Sequence, residues 1–193
     1  EARPAVLAFY KEANIRSSLA PARTVPLEGP ARLIVSPLTG ELLVLVLDDG
    51  EGNAILRSLS NESIDTDWLD SEDPPAYSKA LTFEGMTLTN LEGAAMLSIT
   101  LDGRYLFIID EDNHGVRAVD VASFEEIKPP PDEGVGEDDP IIISEDSPIA
   151  VFTSRDSQYL YVLWHNVVSG DGGDVDHARL TRYAIAAGSF DLV

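Results

Sequence analysis

Ile99-Thr100-Leu101-Asp102-Gly103-Arg104-Tyr105-Leu106-Phe107-Ile108 and Thr153-Ser154-Arg155-Asp156-Ser157-Gln158-Tyr159-Leu160-Tyr161-Val162 are two copies of one pattern. Asp102, Tyr105 and Leu106 of the first recur in register as Asp156, Tyr159 and Leu160 of the second. A third copy, Val35-Ser36-Pro37-Leu38-Thr39-Gly40-Glu41-Leu42-Leu43-Val44, aligns on Gly40 with Gly103 and so carries one residue more in its turn. Each copy runs from a strand through a tight turn into an apolar strand, and an Asp/Gly/Asn-rich turn and a further strand follow.

Outward from these copies the chain reads as short strands. Its apolar runs are β-branched or aromatic and bounded by Gly, Pro, Asp and Asn, and helical periodicity is nearly absent. Strands are expected over Ala5–Tyr10, Arg23–Leu27, Arg32–Ser36, Glu41–Asp48, Ala54–Ser58, Ser78–Phe83, Ala95–Thr100 and Arg104–Asp110. More follow over Val116–Val121, Phe124–Lys128, Ile141–Ser144, Ile149–Ser154, Gln158–Trp164, Ala178–Ile185 and Phe190–Val193. Lys11–Ala20 has room for a helical turn, but Pro21 and the missing amphipathic pattern argue against more. The acid-, Pro- and Gly-rich stretches Asn61–Pro75 and Pro129–Pro140 read as exposed inter-strand loops.

Four antiparallel strands per repeat define a propeller blade, a small sheet that cannot bury both faces until neighbours stack on it. The centres Leu42–Leu47 and Tyr105–Ile109 are apolar at consecutive positions, which suits sheets covered on both faces. The expected fold is all-β: a single β-propeller-like domain of four-stranded antiparallel blades. It divides into a half blade (1–29) and blades over about 30–91, 92–145 and 146–193. Propellers close with about four to eight blades, so three and a half imply a fragment or blades supplied by another chain. A β-sandwich of the same hairpins is the alternative architecture.

Acids outnumber bases 34 to 13, giving a formal net charge of −21. That balance excludes neutralising a nucleic-acid backbone and opposes an anionic membrane surface. No run of about 18 apolar residues exists to span a bilayer as a helix. The absence of cysteine removes disulfides, thiolate metal sites and cysteine nucleophiles. Lys11, Lys79 and Lys128 are the only lysines beside ten arginines. An acidic excess of this kind keeps a protein soluble in salt, which points to an extracellular or periplasmic, salt-exposed setting; a merely acidic surface is the other reading. The sequence starts at Glu1 without Met or a signal segment, consistent with a removed targeting segment or a trimmed chain. Asn61-Glu62-Ser63 matches a glycosylation tripeptide, a pattern common by chance.

Pro30-Ala31-Arg32-Leu33-Ile34-Val35-Ser36-Pro37 followed by Gly40-Glu41-Leu42-Leu43-Val44 resembles the repeat of lactonase-type, YVTN-like seven-bladed propellers. Asn53-Ala54-Ile55 and His114-Gly115-Val116 are similar to its second half. The copy at Leu97–Val116 departs from the pattern in having no Pro before its strand, and the copy at Val151–Trp164 has Ser157 in place of the turn glycine. Leu160-Tyr161-Val162 with Ala178-Arg179-Leu180-Thr181-Arg182-Tyr183 is similar to a blade of soluble quinoprotein sugar dehydrogenases. Both resemblances imply fold, and no catalytic motif of either family is matched.

Three acidic turns are the most chemically loaded features: Asp48-Asp49-Gly50-Glu51-Gly52-Asn53, Asp110-Glu111-Asp112-Asn113-His114-Gly115 and Asp171-Gly172-Gly173-Asp174-Val175-Asp176. Calcium takes six to eight oxygens, which alternating Asp and Asn with Gly bends supply. The candidate Ca2+ ligands are therefore Asp48, Asp49, Asn53, Asp110, Asp112, Asp171, Asp174 and Asp176. The same residues are also what tight hairpins require. His165 and His177 beside Asp174 and Asp176 form a second candidate metal set, without supporting ligand spacing. Ser36, Ser98 and Ser154 lack a nucleophile elbow, and no phosphate loop is present. The functional expectation is a non-enzymatic binding or assembly module, with calcium as a candidate stabiliser of its acidic turns and another protein chain or a second copy completing the propeller. The alternative is part of a lactonase-like hydrolase or a quinoprotein-type dehydrogenase.

Overall fold

The computed structural model describes residues 6–9, 21, 23–47, 51–64, 66–86, 96–130, 136, 138–170, 173–186 and 189–193. Lys11–Ala20, expected to be mostly non-helical, lies outside them. Among the described residues the chain is all-β apart from a 3-10 turn at Asn61–Ile64 and a one-turn helix at Thr66–Leu69, and it divides into two compact units, 1–36 with 40–85, and 37–39 with 86–193.

The first unit holds a hairpin and a four-stranded sheet. Strands β1 (Val6–Phe9) and β2 (Arg23–Pro26) pair antiparallel. Strands β3 (Ala31–Val35), β4 (Leu42–Val46), β5 (Ala54–Leu59) and β6 (Lys79–Phe83) form a meander in sequence order. Leu43 to Leu47 are all fully buried, so β4 is covered on both faces, as its unbroken apolar run requires. On one face Val44 and Val46 pack on Leu7 and Leu27 of the hairpin segment. The loop after β5 was expected to be irregular. It winds instead, because Ser60 caps the turn: its Oγ accepts the Ser63 N–H at 3.2 Å.

The second unit repeats the meander twice. Strands β7 (Leu97–Ile99), β8 (Tyr105–Asp110), β9 (Gly115–Asp120) and β10 (Glu125–Ile127) form one sheet, and the two-residue β11 (Ile142–Ile143) shares the outer edge of β9 with β10. Gly115 permits that crossing, since a Cβ there would stand 2.5 Å from the Pro140 Cβ and 2.6 Å from the Ile142 carbonyl. Strands β12 (Ser147–Thr153), β13 (Tyr159–Gly170), β14 (Gly173–Ala186) and β15 (Ser189–Leu192) form the other sheet. The two sheets pack face to face: Tyr105, Phe107 and Ile109 meet Val151, Leu160, Val162 and Trp164. Each fully buried Leu or Phe of such a face contributes roughly 1.5–3 kcal/mol relative to exposure. The first strands are tied side by side, with the Thr153 N–H donating to Ser98 Oγ at 2.9 Å and the Thr153 hydroxyl to the Ile99 carbonyl at 2.8 Å.

The three repeat turns superimpose in their hydrogen bonds. The N–H of Ser36, Thr100 and Ser154 donates to the carbonyl of Glu41, Tyr105 and Tyr159 at 2.9, 2.9 and 2.8 Å. All three turns therefore have the same length, which corrects the extra residue expected in the first. Its left-handed residue, Gly40 (φ 71°), sits one place later than Gly103 (φ 71°) and Ser157 (φ 60°). In the corrected register Leu42 and Val44 correspond to Leu106 and Ile108 and to Leu160 and Val162.

Candidate functional site

The acidic turns are occupied in different ways. Asp48, Asp49 and Asp171 lie outside the described residues. The Asn53 Oδ1 accepts the Gly85 N–H at 3.1 Å, tying its turn to the end of β6. Asp110 is fully buried, and its carboxylate is directed inward. Its Oδ2 accepts Arg117 Nε at 2.6 Å and Asn113 Nδ2 at 2.9 Å, and its Oδ1 accepts the Asn113 N–H at 3.2 Å. Asp112 is exposed. The third turn departs from expectation: residues 173–176 continue β14, with Asp174 opposite Ser169 and Asp176 opposite Val167. The β-branched Val167, Val168 and Val175 extend the ladder almost to its tip, so Asp174 and Asp176 stand on a strand and not in a loop. His165 pairs with Ala178 and His177 with Asn166, which places the two imidazoles on opposite faces of the ribbon. His165 Nε2 lies 3.5 Å from Asp176 Oδ1, and His177 does not join them. Among the described residues no group of three His, Asp or Glu side chains is placed to hold a metal ion.

What the second turn does build is a line of alternating charge. Arg117 Nη1 reaches Glu126 Oε1 at 2.7 Å, and Glu126 Oε2 reaches Lys128 Nζ at 2.7 Å. Burial by itself lowers the Arg117 pKa, but the carboxylates of Asp110 and Glu126 more than reverse it and raise it above its usual value. This network joins β8, β9 and β10 and presents no free carboxylate.

An open surface lies on the last sheet. Alternation from the buried Val151, Val162 and Trp164 puts Phe152, Tyr161, Leu163, Leu180 and Arg182 on its other face. Phe152 is 48% exposed and Leu180 62%, while the Arg182 guanidinium lies 4.8 Å from the Tyr159 ring centroid. In the turn-based register, Tyr159, Tyr161 and Leu163 are the equivalents of Tyr105, Phe107 and Ile109. The face that is open on this sheet is thus the one that its neighbour covers with a sheet. Individual exposed apolar residues are ordinary, but a contiguous set marks an interaction surface.

The first unit contains a cleft of about 360 Å³ between β2, β5 and residues 72–77. Val25, Pro26, Pro74, Pro75 and Tyr77 form its apolar wall. Arg23 and Arg57 enter it, with Glu28 and Glu72 beside them. Arg57 donates to both Glu28 carboxylate oxygens, at 2.8 and 3.1 Å, and lies 5.0 Å from the Tyr77 ring centroid. The hydrogen bond to Glu28 raises the Arg57 pKa above its usual value, against the lowering from partial burial. Arg23 stacks 4.0 Å over Trp68 and donates to the carbonyls of Trp68 and Asp73 and to Ser71 Oγ. Neither the open face nor the cleft was singled out from sequence. The correspondence of Tyr161 and Leu163 with a covered pair was a readable signal for the face. Nothing local announces that Glu28 meets Arg57.

No protein-family model matches the chain, and no curated protein sequence does. Among solved structures, hydrazine synthase of Kuenenia stuttgartiensis is similar over 86% of this chain and 35% of its own, at 17% identity and a TM-score of 0.46. The dihydro-heme d1 dehydrogenase NirN, solved in complex with DHE, is similar over 86% of this chain and 31% of its own, at 14% identity and a TM-score of 0.45. A protein from Lactobacillus plantarum is similar over 89% of this chain and 45% of its own, at 17% identity and a TM-score of 0.43. The chain spans between about a third and under a half of the length of these structures. At such TM-scores the architecture rests on the chain's own sheets. Among the described residues no helix is long and apolar enough to cross a membrane.

Proposed function

We propose that the chain is a non-enzymatic β-propeller module that binds another protein chain, or a second copy, through the open face of its last sheet. The observation that carries this reading is the equivalence of Tyr159, Tyr161 and Leu163 with Tyr105, Phe107 and Ile109, a face that within the chain is buried under the next sheet. The propeller part is supported by three meanders in sequence order and by the direct bonds between first strands β7 and β12. The partner presents an apolar sheet face, because only such a surface replaces what β12 and β13 supply to β8.

The test is the size of the chain in solution, by light scattering at tens of micromolar. Association with a native β signal in circular dichroism is expected. The variants Phe152→Asp and Leu180→Asp, both at exposed positions, abolish it while leaving the signal intact. A clean monomer with native β structure that also captures no partner through this face overturns the proposal.

A further inference from the structure

We infer that the Arg23–Arg57 cleft of the first unit binds a small organic monocarboxylate, apolar body against Pro26, Pro75 and Tyr77 and carboxylate on Arg57, with Glu28 as a built-in competitor. This goes beyond the assembly reading, which concerns the other unit, and stands or falls without it.

Three observations carry the inference. The first is local charge. Bases are outnumbered 34 to 13 over the chain, yet two of the thirteen enter one cleft, matched there by only two acids. The two guanidinium groups, one in a fork that a carboxylate fits, favour an anionic group over a cation at that wall, and a polyanion is opposed by Glu28, Glu72 and the field of a chain at −21. A single negative charge is what remains. The second is the form of the donor. Arg57 is held over Tyr77 with its fork already engaging a carboxylate in two parallel bonds, the geometry that recognises carboxylates. Glu28 is about half exposed, so water can take over its carboxylate when a ligand carboxylate replaces it on Arg57. The third is the apolar wall. Pro75 is buried and Tyr77 half-buried, rigid surfaces that lose little entropy on binding. The volume, about 360 Å³, sits at the lower end of ligand pockets, roughly 300–1,000 Å³.

Arg23 has a different part. Its guanidinium is pinned by two carbonyls and Ser71 and fixes residues 68–73 beside the cleft. It is a positioning residue that keeps the wall in place, and it adds positive potential without offering its fork.

The probe is 3-phenylpropionate, titrated into the full chain by calorimetry with backbone amide NMR, beside 3-phenylpropanol, which has the same body without the charge. The acid is expected to bind, shifting the amides of Val25, Arg57 and Tyr77, and the alcohol to bind at least tenfold more weakly. Glu28→Gln is expected to tighten the acid by roughly two- to fivefold, the worth of an exposed ion pair. A gain of this kind cannot come from unfolding. Arg57→Gln is expected to remove acid binding, and Arg57→Lys to restore only part of it, since an ammonium lacks the fork. Equal binding of acid and alcohol, unchanged or weaker binding in Glu28→Gln, or full binding in Arg57→Gln each overturns the inference.

Discussion

Ser157 shows how one residue serves two interactions. It holds the left-handed position of its turn at φ 60°, where the neighbouring turn uses Gly103. A residue with a Cβ gives up roughly 1–2 kcal/mol there. Its Oγ accepts the Asp102 N–H of the adjacent sheet at 3.2 Å, a bond worth about 0.5–1.5 kcal/mol. Ser157→Ala keeps the strain and loses the bond, so urea unfolding should show it about 1 kcal/mol less stable. Ser157→Gly loses both and should lie within about 0.5 kcal/mol of the parent; equal losses in the two variants would deny the strain. Next to it, the Asp156 carboxyl is held below its usual range, chiefly by the Ser154 hydroxyl at 2.6 Å and then by the Gln158 N–H at 3.1 Å. A depressed folded pKa means that this bonding contributes above the unfolded value, about 3.9, and is lost as pH falls through the lower folded one. Ser154→Ala should move the Asp156 titration upward in NMR; an unmoved midpoint would assign the shift to the backbone alone.

Element centres were legible because they are set by local apolar density, and element ends were not. The runs around Leu43–Leu47 and Tyr105–Ile109 announce buried strands without any knowledge of partners. Glycine and aspartate are where sequence and structure part. Gly40 matches Gly103 in sequence, but hydrogen-bond closure of the turn, which no residue type encodes, sets the register one place off. Asp174 and Asp176 resembled a turn, yet pairing with the strand before them extended β14 to Gly173. Of the candidate metal ligands, Asp110 was legible as special and illegible in role, because its partner Arg117 lies across a hairpin. That buried pair yields a prediction for the β8–β9–β10 sheet. Arg117→Ala leaves Asp110 buried without its cation and Glu126 with Lys128 alone, a change that costs about 3–5 kcal/mol, and calorimetric melting should fall accordingly. Asp110→Asn keeps two hydrogen bonds possible and should cost less. Equal losses would assign the effect to packing of the arginine stem.

At the scale of the whole molecule most described acids lie outside the strands, and, Asp110 apart, those on strands, such as Glu125, Glu126, Asp174, Asp176 and Asp191, belong to the later strands of the last two sheets. Strands β4 and β8 bury their apolar side chains from Leu43 to Val46 and from Tyr105 to Ile109, with Asp110 the one acid of β8, and it is paired. A surface at −21 repels itself, and that self-repulsion opposes the compact state. Salt shortens the Debye length from about 30 Å at 0.01 M to about 3 Å at 1 M. The Asp110–Arg117 pair is buried and is screened far less than the surface carboxylates. Screening therefore removes more repulsion than attraction, and the melting temperature should rise continuously with potassium chloride. Calcium chloride at matched ionic strength separates general screening from a bound ion. Screening alone makes the two salts differ little at low concentration. A resident ion adds a calcium-specific rise that grows with the logarithm of concentration above its Kd. With Asp110 engaged by Arg117, and Asp176 on a strand face opposite to His177, the described ligands favour the first outcome. A melting temperature that is flat in potassium chloride but climbs in millimolar calcium would reverse that expectation and return the acidic turns to the role of cation sites.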